Sequence, residues 1–95
     1  VKRVSLELGG KNAMIVMPDA DLDQVVDAAM RGMSLEISLG QSCQATSRVF
    51  VHERLYDEFV SRAALRMTSY RIGPACEERT QLGPMISSRR GSTLR

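Results

Sequence analysis

Apolar and polar positions fall into blocks of different period along this chain. Residues 4–8 and 13–17 are short, mostly apolar runs separated by Gly9-Gly10-Lys11-Asn12, a spacing that predicts strand, tight turn, strand. The second run, Ala13-Met14-Ile15-Val16-Met17, carries no polar residue, as expected of a strand buried on both faces. From Asp21 the period lengthens, and Leu22, Val25, Val26, Ala29, Met30 and Met33 fall on one face of a helix. Asp19 or Asp21 is placed to cap that helix, and Pro18 keeps it from starting earlier. Periodicity is lost over residues 34–44, a loop that contains Gly40 and Cys43. It returns over residues 48–52 as a short strand with Val49 and Val51 on one face. A second amphipathic helix is predicted over residues 53–70, with Tyr56, Phe59, Val60, Ala63, Met67 and Tyr70 on its apolar face and Gly73-Pro74 ending it. No period is visible after Gly83-Pro84, and residues 87–95 read as a tail.

Strand, strand, helix, loop, strand, helix is an α/β order. Parallel strands need cover on both faces, and two helices leave much of that cover missing. A chain of 95 residues buries only roughly 60 to 65% of the surface its unfolded form exposes. Together with an opening Val in place of Met, this leads to the expectation that the chain is a piece of a larger α/β protein.

Composition narrows the classes. The longest apolar run is Ala13 to Met17, far below the roughly 20 residues that span a bilayer, and residues 1–7 lack the apolar stretch of a secretory signal. No membrane partner is expected. The net charge of +2 comes from a tail with three Arg and no acid after Ser87, and no Lys/Arg face interleaved with aromatics occurs, so no nucleic-acid partner is expected. Two widely separated Cys match neither a disulfide framework nor a zinc spacing, which implies no metal site and a reducing, cytoplasmic setting. His52 has no ligand-type neighbour at metal spacing and reads as a surface residue.

Single residues offer limited chemistry. Gly9-Gly10 supply the backbone freedom of a turn. Neither a phosphate loop nor G-x-G-x-x-G is present, so no cofactor can be argued from a dinucleotide fingerprint. Cys43 follows Gly40-Gln41-Ser42 in a loop that could present a thiol to a pocket, although a free Cys is more often an apolar filler. Glu7 stands beside the glycine turn at the end of an apolar run, where a carboxylate can project into a crevice or simply be solvated. Cys76, flanked by Pro74, Glu77 and Glu78, reads as an incidental thiol.

Taken in order, Glu7-Leu8-Gly9-Gly10-Lys11, Pro18-Asp19-Ala20-Asp21-Leu22-Asp23, Gly40-Gln41-Ser42-Cys43, Ser47-Arg48-Val49-Phe50-Val51 and Tyr56-Asp57-Glu58-Phe59-Val60 resemble the central region of the aldehyde dehydrogenase superfamily. Gly73-Pro74 and Thr80-Gln81-Leu82-Gly83-Pro84-Met85-Ile86-Ser87 continue the likeness, which covers residues 1 to about 88. The resemblance implies a fragment of the aldehyde dehydrogenase α/β fold. Residues 1–10 would be the C-terminal edge of the cofactor-binding domain, 11–87 the N-terminal part of the catalytic domain, and 88–95 an atypical tail.

It also implies a reaction. Cys43 would be the nucleophile that attacks an aldehyde, with its own backbone N–H as one oxyanion donor. Glu7 would be the base that activates water for thioester hydrolysis, giving a carboxylic acid. The Leu8 backbone and Gly9 would line the nicotinamide side of an NAD or NADP site. Lys11 reads as a structural tie on the turn, and Arg48 as a brace for the nucleophile loop. The partners implied are a small-molecule aldehyde and, for the parent protein, further copies of itself.

Some positions depart from the family. Glu36 stands where the family commonly has an aromatic residue and Ser38 where it has Asn. The Glu7-to-Cys43 separation is one or two residues longer than usual, and burying Glu36 in this segment would be costly. Two alternatives stay open beside hydrolytic aldehyde oxidation: a catalytically inactive structural or interaction fragment, and a CoA-acylating dehydrogenase. Glu7 argues against the latter, because a thioester passed to CoA needs no such base.

Overall fold

A computed structural model describes residues 1–92. In chain order it contains β1 (Asn12–Val16), α1 (Leu22–Gly32), α2 (Leu35–Ser38), β2 (Thr46–Val51), α3 (Glu53–Thr68) and α4 (Ser88–Ser92). The two strands pair in parallel, with α1 in the crossover between them, as a parallel connection requires. Met14 lies opposite Val49 and Val16 opposite Val51, so these four share one face. That face meets α1 and α3, where Leu22, Val26, Ala29, Met30, Phe59 and Tyr70 form the core. Full burial of a large apolar side chain stabilises a fold by about 1.5–3 kcal/mol relative to exposure, and the large side chains of this core, at 3–9% exposure, come close to it.

The other face explains a difference from the sequence reading. Ile15 and Phe50, paired across the strands, are 71% and 57% exposed. The apolar run at residues 13–17 marks a strand built for cover on both sides, whereas both long helices of this chain pack on one. The strand expected over residues 4–8 does not form either. Residues 1–9 carry no helix or strand and are exposed, because among the described residues no backbone lies alongside to pair with their N–H and C=O groups. On α3 the apolar stripe is rotated from that expected. Phe59 and Ala63 point inward as read, but Leu55 joins them while Tyr56, Val60 and Met67 remain exposed.

Capping sets the helix starts. Asp21, rather than Asp19, caps α1: its Oδ1 accepts from the N–H of Asp23 at 3.0 Å and of Gln24 at 3.4 Å. The Gln24 and Asp23 amides hold the Asp21 carboxyl below its ordinary range. The stability it contributes is therefore present above the usual carboxylate range and lost as pH falls through the depressed value. His52 begins α3 in the same way, its Nδ1 accepting from Arg54 N–H at 3.3 Å, so this residue is a cap and not an idle surface group.

Between α1 and β2 the chain makes one helical turn, α2, bounded by Ser34 and Leu39, both in left-handed conformation at φ 56° and 55°. Such residues each cost on the order of 1 kcal/mol or more, which accounts for the loss of period in the sequence here. Glu36 is exposed on this turn and Ile37 beside it is 90% exposed, so the expected cost of burying the carboxylate does not arise. Burial pushes the Tyr70 phenol above its ordinary range against the opposing charge of Arg66, and the Glu36 carboxylate adds to the rise. Beyond α3 the chain turns back on itself. Gly73 N–H donates to Leu82 O at 3.1 Å, and Ile86 N–H donates to the Gln41 side chain at 3.4 Å. This return delivers α4, in the stretch expected to be structureless tail, to the loop that carries Cys43. Residues 93–95 of that tail lie outside the described residues.

Candidate active site

The loop from Gly40 to Ala45 connects α2 to β2, and it is held by groups from the other end of the sequence. Asn12, the first residue of β1, donates from its side-chain amide to Cys43 O at 2.6 Å and to Ala45 O at 3.1 Å. Ala45 is buried. Ser47 donates from Oγ to Gly10 O and Asn12 O, each at 3.2 Å, and Arg48 donates from its guanidinium to Lys11 O. Arg48 thus braces the glycine turn rather than the Cys43 loop itself. Lys11 takes part through its backbone, in keeping with a structural role.

Gly9 brings the two segments into contact. A Cβ built on Gly9 would lie 2.5 Å from Cys43 Cα and 2.7 Å from its Cβ, closer than non-bonded carbons tolerate. Only glycine lets the Glu7 segment pass this close to the cysteine. Gly10 has the opposite character: its φ is +106° and nothing lies within 4 Å of where a Cβ would stand. One glycine is required by space and the other by conformation.

A concavity of about 420 Å³ opens at this junction. Glu7, Gly9, Gly10, Gly40, Gln41 and Cys43 line it, with Met85 and Arg90 arriving from the returning chain. Cys43 is a free, exposed thiol and Glu7 is exposed, so both can meet a small molecule. Three of the four residues singled out in the sequence therefore share one cleft. Leu8 is outside the lining, its side chain 85% exposed. Sequence reasoning did not find Asn12, which it treated as part of a turn, nor Met85 and Arg90. For Asn12 the available signal was an amide side chain placed where turn becomes strand. For Arg90 the sequence carries no such signal.

The two glycines yield a prediction for the full-length protein containing this segment. Gly9→Ala must push the Cys43 backbone, and displacement of a reacting group by about 1 Å costs on the order of 10²-fold in rate. Gly10→Ala meets no obstacle and is expected to lower stability, through its positive φ, more than turnover. Melting curves and steady-state rates of the pair check this. Equal turnover in the two variants would show that the close approach at Gly9 does not matter to the site.

Comparison with known proteins bears on the family. The family model described as "Aldehyde dehydrogenase family" matches residues 1–95. A mitochondrial aldehyde dehydrogenase of Leishmania tarentolae is 43% identical over 94% of this chain and 18% of its own length. Aldehyde dehydrogenase 9 of Polyandrocarpa misakiensis is 46% identical over 93% of this chain and 38% of its own. Among solved structures, an aldehyde dehydrogenase from Brucella melitensis biovar abortus superposes with a TM-score of 0.89 at 36% identity, covering 98% of this chain and 19% of that one. An aldehyde dehydrogenase from Bacillus cereus, solved as an NAD+ complex, gives 0.85 at 36% identity, covering 96% and 18%. The chain spans well under half the length of each. By sequence over its whole length and by fold over its described residues, the chain belongs to the aldehyde dehydrogenase family.

Proposed function

We propose that this segment supplies the nucleophile and the hydrolytic base of an NAD(P)-dependent aldehyde dehydrogenase that converts a small aldehyde to its carboxylic acid. The observation that carries the reading is the shared cleft, in which Glu7 and Cys43 stand on segments that touch through Gly9. Residues 1–10 then form the edge of the cofactor domain and 11–87 the start of the catalytic domain, with the rest of both supplied by the longer protein.

Cys43 acts as its thiolate, whose sulfur bonds to the aldehyde carbon while the carbonyl electron pair moves to oxygen. The Cys43 backbone N–H stabilises that oxyanion. As the carbonyl re-forms, the carbon gives up its hydrogen with the bonding pair, leaving a thioester on Cys43. NAD or NADP, when bound, supplies the acceptor for that pair. Glu7 then takes a proton from water as the water oxygen adds to the thioester carbon. The carbon–sulfur bond breaks, the acid leaves and the thiolate is restored.

The residues present fit the nicotinamide end of such a cofactor. Gly9 lies against Cys43, with the Leu8 backbone next to it in the chain, and the open space at Gly10 leaves the rim free for a flat ring. The chain lacks a glycine-rich dinucleotide fingerprint, so the phosphates are held elsewhere in the whole protein. Two free thiols, Cys43 and Cys76, suit a reducing compartment, for which the cytoplasm is our assignment, and self-association of the intact protein completes the reading.

The test is direct. The full-length protein, incubated with a small aldehyde and NAD or NADP and quenched within a turnover, should yield a proteolytic peptide in which Cys43 carries the acyl mass. Aldehyde oxidation with the acyl group found on another residue, or on none, removes Cys43 from this role.

A further inference from the structure

We infer that Asn12 is a positioning residue for Cys43, an assignment that rests on Cys43 being the nucleophile. Its amide reaches 31 and 33 residues along the chain to bind the carbonyl oxygens of Cys43 and Ala45. It does so from the first residue of a strand, so the fixed end of the sheet holds a loop that has no ladder of its own.

The strand register shows how the side chain is aimed. Asn12 pairs with Thr46 but Ala13 pairs with Arg48, which leaves Ser47 as an extra residue on β2. A β-bulge of this kind turns a neighbouring side chain out of the regular alternation. Here the extra residue fastens the bulge, its Oγ donating to Gly10 O and Asn12 O, and the Asn12 side chain is delivered to the Cys43 loop.

Carbonyl oxygens are the groups that need holding. Attack on an aldehyde builds negative charge next to Cys43, and a main-chain oxygen free to swing toward that charge would oppose it. Tying Cys43 O to Asn12 fixes the peptide that follows the cysteine, while Gly9 packs close against Cys43 Cα. The N–H of the same residue is left for the developing oxyanion and its Sγ for the reacting carbon. The expected signature is therefore on acylation, with little change in substrate affinity.

The experiment uses the full-length enzyme containing this segment. Asn12→Asp keeps the size of the side chain but turns its donors into acceptors that face carbonyl oxygens. Asn12→Ser keeps a hydroxyl that can reach the loop through one water. For Asn12→Asp the pre-steady-state formation of acyl-Cys43 should slow by about 10²-fold with KM changed less than about threefold, and Asn12→Ser should recover a substantial part of the rate. A folded Asn12→Asp enzyme that acylates at the unmutated rate overturns the proposal. Should Asn12→Asp not fold, Asn12→Ser decides: a slowed burst at unchanged KM supports the assignment, and an unmutated burst rejects it. Failure to find acyl-Cys43 in the unmutated enzyme overturns the nucleophile reading itself, a result distinct from a normal burst in the Asn12 variants.

Discussion

Replacing Cys43 by Ala is expected to abolish aldehyde oxidation by the full-length enzyme, with a fall in kcat of at least about 10⁴-fold, as for removal of a covalent nucleophile elsewhere. The structure makes the result interpretable. Cys43 is exposed and free, so losing its sulfur opens no core cavity, and surface substitutions of this sort change stability by only about 0.5 kcal/mol or less. The anchors of the loop, Asn12 with the Cys43 and Ala45 carbonyls, use main-chain acceptors that Ala retains. An inactive Cys43→Ala enzyme should therefore melt close to the unmutated one and still bind the cofactor. Rapid-quench measurement of reduced cofactor is the check, since this variant should show no burst at all. Turnover within an order of magnitude of normal would mean that another residue attacks the aldehyde.

How much of this was legible in the sequence depends on what each signal reports. The helix at Leu22–Gly32 was readable because six apolar residues at helical spacing and an aspartate cap agree with one another. Strand β2 was readable for a similar reason, with Val49 and Val51 marking its inner face. Residues 4–8 have the same apolar character, yet they form no strand, because a strand exists only where a neighbouring backbone completes its hydrogen bonds. The apolar run at residues 13–17 misled in the same direction. Its composition describes a strand covered on both sides, and this chain covers one. Residues 34–40 were opaque because they hold two non-glycine residues in left-handed conformation, a state that no local pattern announces.

At the site, residue types were legible and contacts were not. Glu7, Gly9 and Cys43 stand out through ordered motifs, and all three line one cleft. Gly9 was read as space for a cofactor, and the coordinates add a second demand on it, since a side chain there would meet Cys43 itself. Asn12 was passed over because its partners lie 31 and 33 residues away and are main-chain oxygens, which have no sequence signature. The same holds for Arg90, brought to the cleft by the return of the chain after α3. Long-range backbone acceptors and chain reversals belong to tertiary structure, and only coordinates display them.

Glu7→Gln should separate the two halves of the reaction. The amide has the size of the carboxylate but cannot take a proton, so formation of the thioester on Cys43 survives while its hydrolysis slows by about 10²- to 10⁴-fold. The expected trace is one equivalent of reduced cofactor per active site, formed quickly, followed by a stalled steady state. Two further observations tie the stall to a trapped thioester. Hydroxylamine, which attacks thioesters without a base, should release the acyl group and restore cofactor reduction. Raising the pH should also quicken turnover in Glu7→Gln, because hydroxide then replaces water activated by the carboxylate. Since Glu7 lines the cleft from an exposed segment, the substitution removes no packing, and the burst amplitude reports the intact fraction of sites. An unchanged steady-state rate would remove Glu7 from hydrolysis. A missing burst would instead place its work before acylation, as the base that removes the proton from Cys43, and the two outcomes are read from the same trace.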